Sequence, residues 1–247
     1  GDYIHCLDAP DFEAFAGTRE GSATMAQYIL KPARLLMPIP EGISCELGSL
    51  ACCGLGPSFG AFQRMRLGAS DTILITGAGP VGLGAVVNAR FRGARVIVVE
   101  SVPFRVEKAR ELGAEEVLDP AADDTLERIL ALTGGRGVDC ALDCAGAVPA
   151  QRLCVDATRR RGRVAFVGEC YEDLPLRISP DMIRKGLTLI GSWHYNLGDF
   201  PGVMQVIRQS PLVEQLISHV LPMRRVQEAL EISASHECAK VLLKPWE

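Results

Sequence analysis

No stretch of this 247-residue chain carries the roughly 18 consecutive apolar residues that a bilayer-spanning helix needs, so neither a membrane anchor nor a membrane partner is expected. The first residues lack the basic and apolar regions of a secretory leader. Positive charge is in no surplus: 26 Lys and Arg stand against 30 Asp and Glu. No general field therefore attracts a phosphate backbone, and a nucleic-acid partner is not expected. Internal repeats and low-complexity tracts are absent. An evenly spaced disulfide framework is missing too, because the nine cysteines are odd in number and scattered. Cys140, Cys144, Cys154 and Cys170 fall in segments that read as core strands, so reduced, packed thiols and a cytoplasmic location are expected. What remains is a soluble domain that handles a small molecule.

The chain has apolar content to match, at 48%, enough for one good core and a lobe beside it. From Asp71 onward, short β-branched runs alternate with longer amphipathic ones across brief Gly or Pro turns, which is a βαβ rhythm. Strands are predicted at TILIT (72–76), RVIVVE (95–100), EEVLD (115–119), VDCALD (138–143), RVAFVG (163–168) and LTLIGSW (187–193). Such continuous apolar runs suit parallel strands buried on both faces. In VPFRVEKARELG, Val106, Ala109 and Leu112 recur at helical spacing and Gly113 stops the helix. Before residue 45 the chain is Gly- and Pro-rich, and MAQYILKPARLLMPIPEG reads as irregular β structure with a Pro-punctuated linker. After Trp193 come two helical patterns, FPGVMQVIRQ and RRVQEALEIS, then a closing strand, AKVLLKP.

The strongest local signal is TILITGAGPVGLGAVVNARFRGARVIVVES. Gly77, Gly79 and Gly82 form GxGxxG directly after a strand and before a helix, and Glu100 ends the next strand about 20 residues on. Gly77 permits the tight turn. Gly79 has no Cβ to hold a pyrophosphate off the backbone, and Gly82 lets the helix approach the strand. The helix start at Pro80 and Val81 presents free N–H groups and the positive dipole end to phosphate. Glu100 accepts from ribose hydroxyls and repels a 2′-phosphate, which favours NAD over NADP. Arg105 sits close by, placed either to stack on the adenine or to offset part of that preference. Two rivals fit less well: a methyltransferase does not need the third glycine, and a short-chain reductase needs Tyr and Lys one helical turn apart. Tyr28 and Lys31 have the wrong gap and precede the loop.

Taken together, GDYIHC, MAQYILKPARLLMPIPEG, ACCGLGPSFGAF, TGAGPVGLG, LDCAGA, RRRGRVAFVGE, GSWHYN and the tail from SHVLP to VLLKP resemble, in order and spacing, the zinc-dependent medium-chain alcohol and polyol dehydrogenases. The resemblance implies a Rossmann-type, doubly wound, six-stranded parallel sheet over 51–192. Residues 1–50 would be a remnant of a β-rich, GroES-like catalytic domain with its linker, and 193–247 a segment returning to that domain. It implies hydride transfer between a secondary alcohol or polyol and NAD, with zinc in the intact enzyme, and a homodimer or homotetramer joined through the edge strand LTLIGSW. Cys6 matches the last ligand of a structural zinc whose three partners are missing, and Cys53 matches one ligand of the catalytic zinc whose others are missing. Cys53 is therefore expected to be a metal-free thiol here and Cys52 a packing residue. The chain is expected to be a dehydrogenase lacking most of its first domain, or a catalytically silent cofactor-binding module.

The resemblance also brings the region from Cys144 to Gly146, with Val167 and Gly168, toward the cofactor, and puts His194 where some members place a polar group near substrate. It departs from the pattern at GLGPSFG, where Pro57 replaces a Thr found in many alcohol-active members and Ser58 follows one position later. Arg159 to Arg161 with Arg163 are expected at a helix C-terminus, on a solvated face.

Overall fold

A computed structural model describes residues 3–8, 11–17 and 25–247. The other positions of the expected 1–50 remnant, Gly1 and Asp2 of GDYIHC among them, lie outside the described residues. Helix α1 (Phe12–Ala16) starts where Asp11 accepts from the Ala14 N–H. A 3-10 turn over Ala33–Leu35 follows. No strand appears among the described residues before Thr72, so the irregular β structure expected there is not formed. The reason is pairing: an extended segment becomes a strand only beside a partner edge, and among the described residues none pairs with it. Helix α2 (Cys45–Cys53) is capped by the Ser44 side chain on the Leu47 N–H, and α3 (Gly56–Met65) leads to the sheet.

The six expected strands are present as β1 (Thr72–Thr76), β2 (Arg95–Val99), β3 (Glu116–Leu118), β4 (Val138–Asp143), β5 (Thr158–Phe166) and β6 (Thr188–Gly191). They lie in the order β3-β2-β1-β4-β5-β6, all parallel. The crossovers run through α4 (Pro80–Phe91), α5 (Pro103–Glu111), α6 (Thr125–Leu132) and α7 (Val148–Ala157). Alternate strand residues supply opposite faces, and both faces are covered. Ile73, Ile75, Val96, Val98 and Leu142 pack toward α3 and α4, through Phe62 and Val87 among others. Leu74, Ile97, Ala141 and Val164 pack toward α6 and α7, through Ile129 and Cys154. Two-faced burial explains why these strands read as unbroken apolar runs.

Helix α8 (Phe200–Gln209) lays Val203, Met204, Val206 and Ile207 on the first core. Strand β7 (Ile217–Pro222), helix α9 (Val226–Ala234) and strand β8 (Lys240–Lys244) close the chain, β7 and β8 pairing as a separate parallel ribbon. Both late helices and the last strand agree with the sequence patterns. Among the described residues no helix is long and apolar enough to cross a membrane.

Two expectations about charge and thiols are corrected. Helix α7 stops at Ala157, and Arg159 to Arg163 lie within β5 rather than at a helix end. Arg159 reaches Asp139 at 2.5 Å, and Arg163 reaches Asp71 at 3.0 Å and the Met65 carbonyl at 2.7 Å. Partly buried carboxylates at the start of the sheet draw two of the arginines in, and only Arg160 and Arg161 face solvent. Of the supposed strand cysteines, Cys140 is in β4, but Cys154 is buried in α7 and Cys170 lies in a loop.

Candidate functional site

Register aligns the carboxyl ends of the strands. Thr76 pairs with both Val99 and Asp143, Val99 with Leu118, and Asp143 with Phe166. The next residue of each strand therefore stands in one row: Glu100, Gly77, Cys144 and Val167. The row is held by main-chain bonds from Glu100 N to Leu118 O, Gly77 N to Val99 O, Cys144 N to Thr76 O and Val167 N to Asp143 O, at 2.9–3.0 Å. Strand order reverses between β1 and β4, because β1 connects outward to β2 on one side while β4 begins the other side. Ligands of open α/β sheets bind outside the strand ends at such a switch.

A cleft of about 600 Å³ opens there. Of the residues expected to bind cofactor, Gly77, Gly79, Glu100, Arg105 and Cys144 line it. The three glycines differ in backbone conformation and in what surrounds them. Gly77 has φ +81°, the left-handed region that favours glycine. A Cβ on Gly82 would stand 1.9 Å from the Gly77 carbonyl oxygen, so bare backbone is what lets α4 start against the loop. A Cβ on Gly79 would meet nothing within 4 Å, leaving space over the loop for a ligand. Helix α4 begins after Gly79 with Pro80 in its first turn and no side chain capping it. Its free N–H groups, Val81 and Gly82 among the first, fit an anion such as a pyrophosphate.

Glu100 is only 8% exposed and joins the loop to the turn after β2. Its Oε2 accepts from the Ala78 N–H at 2.7 Å; Oε1 accepts from Ser101 and Val102 at 2.8 and 2.9 Å. A carboxylate offers about four lone-pair sites, so three bonds leave an acceptor for a sugar hydroxyl. Cys144 is no nucleophile. Burial, then the Asp143 charge, holds its thiol well above the ordinary range.

Val167 and Gly168 are in the row but not in this cleft. They line a neighbouring hollow of about 380 Å³ with Gly191, Ser192 and Trp193. His194, at φ +54°, lines a third, of about 270 Å³, with Arg64, Tyr195 and Asp199.

Two contributors were not foreseen. Asp143 ends β4 fully buried, with Oδ1 accepting from the Thr76 hydroxyl at 3.0 Å and the Ala145 N–H at 3.1 Å. Its Oδ2 accepts from the Gln151 amide and the Gly146 N–H, both at 3.3 Å. An acid closing a buried strand opposite a Thr was the available signal. His236, brought to the cleft mouth by the α9–β8 connection, leaves no such trace in SASHEC.

A zinc ion with catalytic function needs three protein ligands and an open position. Cys53 is exposed at the end of α2 and Cys6 is exposed near the chain start. Among the described residues, no three His, Cys, Asp or Glu side chains come together to hold a metal. The donor set does not fit zinc. Cys52 shares a hydrogen bond with Tyr195.

The profile of the family described as zinc-binding dehydrogenase matches residues 80–209. The chain is 30% identical over 232 residues to an uncharacterized zinc-type alcohol dehydrogenase-like protein (YphC) of Escherichia coli strain K12, covering 93% of this chain and 65% of that protein. It is 30% identical over 250 residues to a sorbitol dehydrogenase of Bacillus subtilis strain 168, covering 99% of this chain and 69% of that protein. The crystal structure of an alcohol dehydrogenase from Thermotoga maritima superposes with a TM-score of 0.77 at 30% identity, covering 83% of this chain but 58% of that one. The chain thus spans roughly two thirds of the length of these curated relatives. With the parallel sheet order and the glycine-lined cleft, these matches establish that the chain belongs to the zinc-binding dehydrogenase family.

Proposed function

We propose that this chain is the NAD-binding part of a zinc-type dehydrogenase that moves hydride between a secondary alcohol or polyol and NAD. The observation that carries the reading is the open backbone at Gly79 beside the uncapped start of α4, with Glu100 joined to the same loop through the Ala78 N–H. Gly77, Gly79 and the helix start hold the pyrophosphate, Glu100 accepts from the adenosine ribose, and Arg105 flanks the adenine. When bound, the nicotinamide supplies the hydride chemistry. The residues present exclude side chains from the phosphate path and fix the strand-end row against which the cofactor rests. The buried charge of Glu100 disfavours a 2′-phosphate. Similarity to a sorbitol dehydrogenase supports a polyol or secondary alcohol as substrate.

Isothermal titration is expected to show NADH binding more tightly than NADPH by about tenfold or more. No heat with NAD or NADH overturns the reading, and tighter NADPH binding overturns the choice of cofactor. A second reading is favoured because no zinc donor set comes together among the described residues: the chain by itself binds cofactor without catalysis. Stoichiometric zinc together with NADH formation on an alcohol panel rejects it.

Strand β6 closes the sheet with one edge that no strand among the described residues pairs. We infer that two copies pair through it as a homodimer, itself able to form a homotetramer, since an open edge with apolar residues is otherwise a liability. Light scattering is expected to return a multiple of the 26.6 kDa chain mass; a monomer mass at every concentration refutes the pairing.

A further inference from the structure

His236 stands on the connection between α9 and β8, 131 residues from Arg105 in sequence. Its Nδ1 nevertheless lies 3.1 Å from an Arg105 Nη2, at the mouth of the cofactor cleft that both residues line. A guanidinium has donors only, so the facing ring nitrogen is the acceptor and the ring carries its proton on Nε2. The backbone at His236 is left-handed, with φ +62°. Glycine adopts that conformation freely, and histidine adopts it more often than most residues yet at a cost. The ring thus reaches the cleft from a conformation the chain does not favour.

Arg105 lies in the first turn of α5 and lines the cleft together with Glu100, Ser101 and Val102. Its Nε is enclosed by protein, so the guanidinium can meet a ligand only through its Nη groups, and a guanidinium has more donors there than His236 Nδ1 uses. The acceptor that fits them is an oxygen of the adenosine half of a dinucleotide.

We propose that His236 is a positioning residue for the dinucleotide: its Nδ1 fixes the Arg105 guanidinium so that the remaining Nη donors meet an oxygen of the adenosine half. The inference rests on the NAD reading above. It makes the carboxy-terminal segment part of the cofactor site, although the glycine loop and its acid come from the sheet.

Two substitutions separate the hydrogen bond from the fold. His236→Gly removes the ring where glycine is unstrained. His236→Asn tolerates the left-handed backbone and offers its amide oxygen at the δ position in place of Nδ1. Calorimetric titrations of the full chain with NADH and with ADP-ribose are expected to show His236→Gly weaker by about five- to tenfold for both ligands, as loss of a charge-assisted hydrogen bond implies. His236→Asn is expected within about twofold of the unaltered protein. Unchanged binding in His236→Gly overturns the role, as does a loss seen with NADH but not ADP-ribose. An Asn variant as weak as the Gly variant overturns the hydrogen bond as its basis. Should the unaltered protein bind neither ligand, the NAD reading falls, and this role with it.

Discussion

Gly79→Ala is expected to leave the unfolding midpoint unchanged while weakening NADH by about tenfold or more, whereas Gly82→Ala is expected to lower the midpoint and NADH binding together. The contrast comes from what each new Cβ meets. At Gly79 it meets nothing within 4 Å, and the backbone there, with φ −64° and ψ −176°, is open to any residue. Its methyl therefore disturbs only what rests on the loop. At Gly82 it would sit 1.9 Å from the Gly77 carbonyl oxygen and 2.9 Å from the carbonyl carbon. Neither atom belongs to a flexible side chain, so α4 must move off β1. Overpacking of this kind costs about 1–3 kcal/mol, and the displaced helix start loses the cofactor as well. Urea melts and NADH titrations on the two variants read both effects. If the loop were merely a tight βα turn with no ligand, Gly79→Ala would change neither measurement, which makes it the sharper of the pair.

The same division, between what a residue does locally and what distant chain brings to it, decides how much was legible in the sequence. The six strands were readable because each is buried on two faces and so carries an uninterrupted apolar run. Gly77, Gly79, Glu100 and Cys144 were readable because register in a parallel sheet puts consecutive strand ends in one row. That row tells where a chain leaves the sheet but not where it then turns. Val167 and Gly168 leave from it into a different hollow, since Gly168 packs so closely on Gly146 that a Cβ would stand 2.3 Å from its N–H nitrogen. The arginine run misled for a related reason. Its composition suits a helix end, but the pairing irregularity between Val138 and Cys140 carries β5 back to Thr158, and Asp139 and Asp71 are partners that only the folded sheet supplies. His236 reaches Arg105 across 131 residues, and no window of sequence contains both.

Asp143→Ala is expected to lower stability by about 2–4 kcal/mol near neutral pH and to weaken NADH with it. The carboxylate is fully buried and accepts from the Thr76 hydroxyl, the Ala145 and Gly146 N–H groups and the Gln151 amide. Removing it leaves those donors facing a void, and the Cys144–Gly146 turn, part of the cleft wall, loses its anchor. Asp143→Asn keeps Oδ1 for Thr76 and Ala145 and turns its amide toward donors on the other side, so a smaller loss, about 1 kcal/mol, is expected. The two variants also differ from the unaltered protein in pH dependence. Burial raises the Asp143 carboxyl above its usual range, and its hydrogen bonds only partly oppose that. The folded chain therefore holds this proton more tightly than the unfolded one. The stabilisation from that proton is complete below the unfolded value, about pH 4, and is lost as pH rises through the raised folded value. Both substitutions should remove that part of the slope, which urea melts across the weakly acid range would register. An alanine variant as stable as the unaltered protein would mean that the turn is held without the carboxylate, by the main-chain bonds of Val167 and Gly168 to the Asp143 carbonyl.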